Sequence, residues 1–260
     1  MKYSVLLADN NRAKAYMQTL CEAGLPPAAA VVLGQPGGTR AGNHSQPETS
    51  NIIHSRDADA WFDAHESVLQ TLEKHAIPHT RLDTPDINTE ETVQAVRALP
   101  GSHCLYAGPG GLILGRELLG QGKIFLHAHP GRLPQYRGST TFYYSLLAEA
   151  RIHCSVIAMA PEIDAGPVLH EQSFSVTDPE IHIDSALDPL IRAATMRSFL
   201  AGDAPAETRG RTQEKDGTTL YIIHPVLKHA AILRTRAACE PGPTSRALAA
   251  MGGPREEHDG

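Results

Sequence analysis

The chain has little of what usually announces a protein's class. Its four cysteines, Cys21, Cys104, Cys154 and Cys239, stand alone without a CxxC pair, which argues against a disulfide scaffold and a cysteine-based zinc site. No apolar run approaches the roughly 18 residues of a membrane span. The N-terminal stretch MKYSVLLADNNRAKAYM has an apolar core of five residues at most before it turns polar, too short for a signal peptide. No membrane partner is therefore expected, and the simplest placement is cytoplasmic, with reduced thiols. Positive charge is also scarce: 23 Lys and Arg stand against 29 Asp and Glu, for a net charge of -6. With those cations scattered there is no field to hold phosphates, so no nucleic-acid partner is expected.

What is present suits one good-sized α/β domain with a small extension: 260 residues, 41% hydrophobic and 20% charged. The first elements read as strand (3–8), helix (12–23) and strand (28–33), the start of a parallel sheet. Residues 34–51, rich in Gly, Ser and Asn without periodicity, read as a long surface loop. A helix is expected over 60–75, from Trp61, Val68, Leu69 and Leu72 near one face. A strand at 79–82, a helix at 89–98 and a strand at 103–107 follow, the last running into Gly108-Pro109-Gly110-Gly111. Then come a helix at 114–119, a strand at 123–129, a helix at 140–150, strands at 154–159 and 168–176, and a helix at 185–200. The alternation predicts an open, twisted, mostly parallel sheet with helices on both faces, which binds ligands at the carboxyl ends of its strands. The division expected is a catalytic unit over 1–205, a short extension over 206–239 packed on the core as a closing strand and short helix, and a disordered tail over 240–260.

Two segments carry the chemistry, FLHAHPGRLPQYRGSTTFYYSLL at 125–147 and EIDAGPVL at 162–169. His127 and His129 are alternate residues at a strand end, so both side chains leave the same face of the sheet. A Pro/Gly-rich loop then reaches Arg137 and Gly138, where a helix N-terminus opens and could receive an anion. Asp164 follows in a second loop. Taken singly these features are weak: an aspartate in a Gly/Pro turn is more often a turn former, and Tyr143 and Tyr144 suit core packing as well as substrate contact. Their order in one chain raises their weight.

These motifs resemble the 10-formyltetrahydrofolate-dependent formyltransferases, whose pattern of a histidine-proline strand end, a Leu-Pro-x-Tyr-Arg-Gly loop and an Ile-Asp-x-Gly-Pro loop reads here as His129-Pro130, Leu133-Pro134-Gln135-Tyr136-Arg137-Gly138 and Ile163-Asp164-Ala165-Gly166-Pro167. The resemblance is sharp over 103–170. It implies 10-formyltetrahydrofolate as co-substrate and an amine as acceptor. By the resemblance His129 helps stabilise the oxyanion and relay a proton, while Asp164 orients or charge-stabilises His129 and accepts the amine proton through water. Gly108, Gly110, Gly111 and Leu112 would meet the pterin, and Arg137, Gly138 and Tyr143 the acceptor. His127 departs from the pattern, standing where the family carries a catalytic asparagine. The Arg137-Gly138-Ser139-Thr140-Thr141-Phe142-Tyr143-Tyr144 run looks more like the branches that act on nucleotide sugars or small metabolites, and the acidic net charge speaks against a tRNA acceptor. No metal is assigned, although His127, His129 and Asp164 could also serve as zinc or iron ligands in a hydrolase or deformylase. A folate-binding relative that has lost the reaction is the third reading. A homodimer stays open.

Overall fold

A computed structural model of the protein describes residues 1–34, 52–55, 58, 60–109, 111–176, 178, 180–202, 210–214 and 219–239. The expected loop at 34–51 (beyond Gly34) and the expected tail at 240–260 lie outside the described residues. The elements, in chain order, are β1 (Tyr3–Ala8), α1 (Asn11–Glu22), β2 (Ala30–Leu33), β3 (Ile52–Ser55), β4 (Ala60–Asp63), α2 (Val68–Lys74), β5 (His79–Arg81), α3 (Glu90–Ala98), β6 (His103–Ala107), α4 (Arg116–Leu119), β7 (Ile124–His129), β8 (Arg137–Gly138), α5 (Thr141–Glu149), β9 (Arg151–Ala158), β10 (Val168–Ser175), α6 (Asp188–Ala201), β11 (Thr219–Leu220) and α7 (Pro225–Cys239). A π-helical turn, Ile183–Leu187, leads directly into α6.

The main sheet has seven strands in the order β10-β9-β7-β6-β1-β2-β5. The five strands from β7 to β5 run parallel, and β9 and β10 close one edge antiparallel. Strand alternation divides the core into two layers. Val5, Leu7, Leu105, Leu126 and Ala128 pack toward Tyr16, Met17 and Leu20 of α1 and Leu190 and Ile191 of α6. Leu6, Val31, Cys104, Tyr106 and Phe125 pack toward Val93 and Val96 of α3 and Leu118 of α4. Helices on both faces are what a parallel sheet requires to bury its two apolar sides. The chain reverses direction across the sheet between β1 and β6, and the ends of β1, β6 and β7 open at this switch point. There Asn10 caps α1 by accepting from the Ala13 N–H and turns its amide toward the Ala107 and Gly108 carbonyls, at 3.4 and 3.5 Å.

Two sequence expectations need correction. The helix expected over 60–75 is a strand followed by a shorter helix. Ala60 and Phe62 are buried while Trp61 and Asp63 are half-buried, a period of two rather than 3.6, and β4 pairs antiparallel with β3. The helix begins only at Val68, because Ser67 and Gln70 form a capping box: the Ser67 hydroxyl accepts from the Gln70 N–H and the Gln70 side chain from the Ser67 N–H. At the other end of the chain, the closing strand is only Thr219–Leu220, and the expected short helix is the 15-residue α7, which packs on α5 through Ala231 and Ile232. Tyr221 and Ile222 are exposed rather than packed.

Removing one half of the capping box tests this start. Ser67→Ala is expected to lower stability by about 1 kcal/mol, seen as a lower denaturant midpoint with an unchanged slope.

Candidate active site

Strand β7 sends Leu126 and Ala128 into the core on the α1/α6 side. Its alternate residues Phe125, His127 and His129 leave the other face, with the His127 ring 6.4 Å from that of Tyr106. Pro130 and Gly131 then turn the chain, and the loop through the cis Leu133–Pro134 bond brings Tyr136 back under the strand end. The turn is held by the Ser155 hydroxyl donating to the Gly131 carbonyl at 2.7 Å and by Thr141 donating to the Pro130 carbonyl at 2.6 Å. Gly131 is required here: a Cβ would lie 2.5 Å from the Tyr136 oxygen and 3.0 Å from His129 Nε2.

His129 is buried, and both ring nitrogens are engaged. Nε2 lies 2.6 Å from the Tyr136 carbonyl, and since a carbonyl only accepts, Nε2 carries the proton. Nδ1 faces Asp164 Oδ2 at 3.4 Å. Asp164 sits on the turn between β9 and β10 with a left-handed backbone, φ 51, a conformation that aspartate tolerates better than most residues. The same Oδ2 accepts the Gly138 N–H at 3.1 Å. Burial by itself would raise the Asp164 carboxyl, but the His129 imidazole, His127 and the Gly138 N–H together hold it well below the usual carboxylate range. A carboxylate held so low is a weak base and a durable charge, which suits it to balancing His129 more than to taking protons.

His127 completes the group: one ligand-type atom from each of His127, His129 and Asp164 lies within 4.8 Å of the others. Its Nδ1 is buried without a hydrogen-bond partner. Burial holds its pKa well below the ordinary value, reinforced by the Arg192 and Arg12 guanidiniums, so the ring is neutral near pH 7. Those arginines form a cluster behind the strand, Arg192 buried and Arg12 half-buried. Arg192 bonds Asp188 at 2.7 Å and the Ala128 carbonyl at 2.7 Å, and Arg12 stands 4.0 Å from the same aspartate.

The remaining sequence-assigned residues divide. Gly138 is with the histidines through Asp164; its φ of 106 and the Leu220 carbonyl, into which a Cβ would run, leave no room for a side chain. Arg137 donates to Gln213 at 2.9 Å. Gly108 follows β6 directly and packs so closely on the Tyr106 ring that a Cβ would fall 2.5 Å from it. Gly111 has positive φ, 80, and Leu112 is exposed; Gly110 lies outside the described residues. Tyr143 is not among them. It is buried, its hydroxyl donates to Asp184 at 2.9 Å and Lys228 lies over its ring, so it belongs to a separate cavity of about 140 Å³ walled by Asp184, Ile232 and Thr235. Sequence reading missed Gln213. Its amide donates to the carbonyls of Asp164 at 2.8 Å and Gly166 at 2.6 Å while its oxygen accepts from Arg137. It ties the extension to the Arg137 and Asp164 loops, and no local pattern around it signals that.

The fold is one shared with solved formyltransferase structures. A sugar N-formyltransferase from Shewanella sp. is 13% identical over 90% of this chain and 88% of its own, with a TM-score of 0.52. The phosphoribosylglycinamide formyltransferase from Bacillus halodurans is 19% identical over 80% and 100%, with a TM-score of 0.50. A formyltetrahydrofolate deformylase from Pseudomonas syringae pv. tomato is 14% identical over 76% of this chain and 60% of its own, at 0.50. No protein-family model and no curated protein matches the chain.

The depressed Asp164 carboxyl generates an acid-stability prediction. A carboxyl lowered in the folded state contributes stability that is full above its unfolded pKa of about 3.9 and is lost as pH falls toward the folded value. Asp164→Asn should therefore melt below wild type at pH 7, with the gap closing as pH falls below about 4. Melting curves across that range check it; a gap that stays constant with pH would contradict the assignment.

Proposed function

We propose that this protein transfers a formyl group from 10-formyltetrahydrofolate to the amine of a small metabolite or a nucleotide-linked amino sugar. The observation that carries the reading is the buried His129, clamped between the Tyr136 carbonyl and the Asp164 carboxylate at the carboxyl end of a parallel strand. Formyl transfer needs a group that stabilises an oxyanion and a route for one proton. The amine nitrogen attacks the formyl carbon and the carbonyl pair moves to oxygen. His127, whose Nδ1 has no protein partner, stands where an N–H donor can meet that oxygen, with His129 beside it. The C=O bond then re-forms as the bond to the folate nitrogen breaks; the proton lost by the amine is relayed by His129 to that nitrogen. Asp164 balances the imidazolium during the relay, in keeping with its low basicity.

Several features support the folate side. The Gly108-Pro109 turn follows β6 directly, one strand over from His127, and its glycine lets backbone approach a flat ring closely. Solved structures that share the fold include proteins named for formyl-glycinamide chemistry and for formyltetrahydrofolate cleavage. On the acceptor side, Arg137 and Gly138 flank the Asp164 loop, and the net charge of -6 disfavours a nucleic-acid acceptor. Among the described residues no helix is long and apolar enough to cross a membrane; a cytoplasmic location belongs to the same proposal, as does a homodimer.

The test follows tetrahydrofolate release from 10-formyltetrahydrofolate across a panel of amino sugars, nucleotide-linked sugars and simple amines. Release should depend on an added amine, and His129→Ala and Asp164→Asn should each slow it by about 10²–10⁴-fold with circular dichroism unchanged. Undiminished turnover in His129→Ala would overturn the reading. Release that proceeds equally well without any amine would replace it with hydrolysis.

A further inference from the structure

We propose that His127, His129 and Asp164 form a three-ligand site for one divalent first-row transition ion of the zinc class, with a further coordination position open to the cleft. The inference concerns binding, and it holds or fails independently of which group the cleft transfers.

The starting point is the contact between His129 and Asp164. With Nε2 donating to the Tyr136 carbonyl, the ring turns Nδ1 toward a carboxylate oxygen of Asp164 3.4 Å away. Such a pair is bridged by a cation, either a proton on Nδ1 or a metal ion. When that cation is a proton the charge-assisted hydrogen bond closes to about 2.7–2.9 Å. The observed separation instead fits an edge of a tetrahedral site, where ligands at about 2.0–2.1 Å from the ion stand roughly 3.3 Å apart. His127 supplies the third ligand. Its buried Nδ1 has no partner, a costly state for a ring nitrogen, and the three ligand atoms lie within 4.8 Å of one another. Two imidazoles and one carboxylate are a donor set that zinc and its neighbours in the first row favour.

The outer contacts agree. Ligating histidines usually donate their other N–H to a carbonyl, and ligating carboxylates are themselves hydrogen-bonded; here Tyr136 serves His129 and the Gly138 N–H serves Asp164. Arg192 and Arg12 behind the strand are faced by Asp188, which is not one of the three ligands. His127 is also the residue at which this chain departs from the formyltransferase pattern. The asparagine expected there is a poor ligand for such an ion, and histidine a good one. An ion held here would act as a Lewis acid on an oxygen entering the cleft.

Equilibrium dialysis of the chelator-stripped full chain against Zn²⁺, with bound metal counted by elemental analysis, tests the proposal, alongside the visible spectrum of the Co²⁺ form. Removing an outer partner typically costs 10–100-fold in metal affinity, so His127→Asn and Asp164→Asn should each lose at least about 100-fold with circular dichroism unchanged. Wild type should hold one equivalent, and its Co²⁺ form should show the intense bands of a four-coordinate site. Substoichiometric binding by wild type overturns the proposal. So does binding undiminished in both variants, which would move the ion to other histidines. If a variant does not fold, the Co²⁺ spectrum of wild type decides alone, weak octahedral bands counting against the site.

Discussion

Much of this molecule is arranged around one buried imidazole. His129 is gripped by a backbone carbonyl on one side and a carboxylate on the other, and each grip needs a separate piece of chain in place. The carbonyl of Tyr136 reaches it only because Gly131 has no side chain. Asp164 reaches it from a left-handed turn whose carbonyl is tied down by Gln213. The parallel sheet supplies the rigid end from which the ring projects, and the antiparallel β9–β10 pair carries the aspartate to the same place. A ring fixed at both nitrogens loses little further freedom when a substrate arrives, which is the physical meaning of a preorganised site.

The charges around the site are arranged to keep its members in different states. Asp164 is held ionised by its neighbours, and His127, two residues from His129 on the same strand face, is held neutral by burial and by Arg192 and Arg12 behind it. Pairs of titratable groups driven apart in this way are what acid–base and ligand chemistry both demand. The cost of burying Arg192 beside the half-buried Arg12 is met largely by Asp188, which bonds Arg192 and faces Arg12. The apolar layers on either side of the sheet hold that cluster in place.

The parts legible in the sequence are those that local chemistry determines. β1 and β6 are nearly continuous apolar runs, broken only by Ser4 and His103, and are readable because a strand buried on both faces has no polar side to show. The H-x-H pair, the Gly138 turn and the Ile-Asp-x-Gly-Pro loop were visible as motifs, and the structure brings His127, His129, Asp164 and Gly138 together. The strand Ala60–Asp63 was hidden because four residues of alternation are easily absorbed into a neighbouring helical pattern, although the Ser67–Gln70 capping box marks the true helix start. Gln213 could not be found, since its role depends on contacts 47 and 49 positions back along the chain and 76 positions back to Arg137. Tyr143, adjacent in sequence to the active loop, turns the other way because the first turn of α5 points it at Asp184. Proximity along the chain and proximity in space part company where a helix begins.

The central claim is that the cleft at the ends of β6 and β7 receives a formyl-folate beside His129. Calorimetric titration of the full chain with a stable 10-formyltetrahydrofolate analogue addresses it most directly, because it needs neither the acceptor nor turnover. The account predicts saturable micromolar binding at one site per chain, weakened when Gly108 is replaced by a residue whose Cβ would strike Tyr106. No binding by a folded wild-type protein would contradict it.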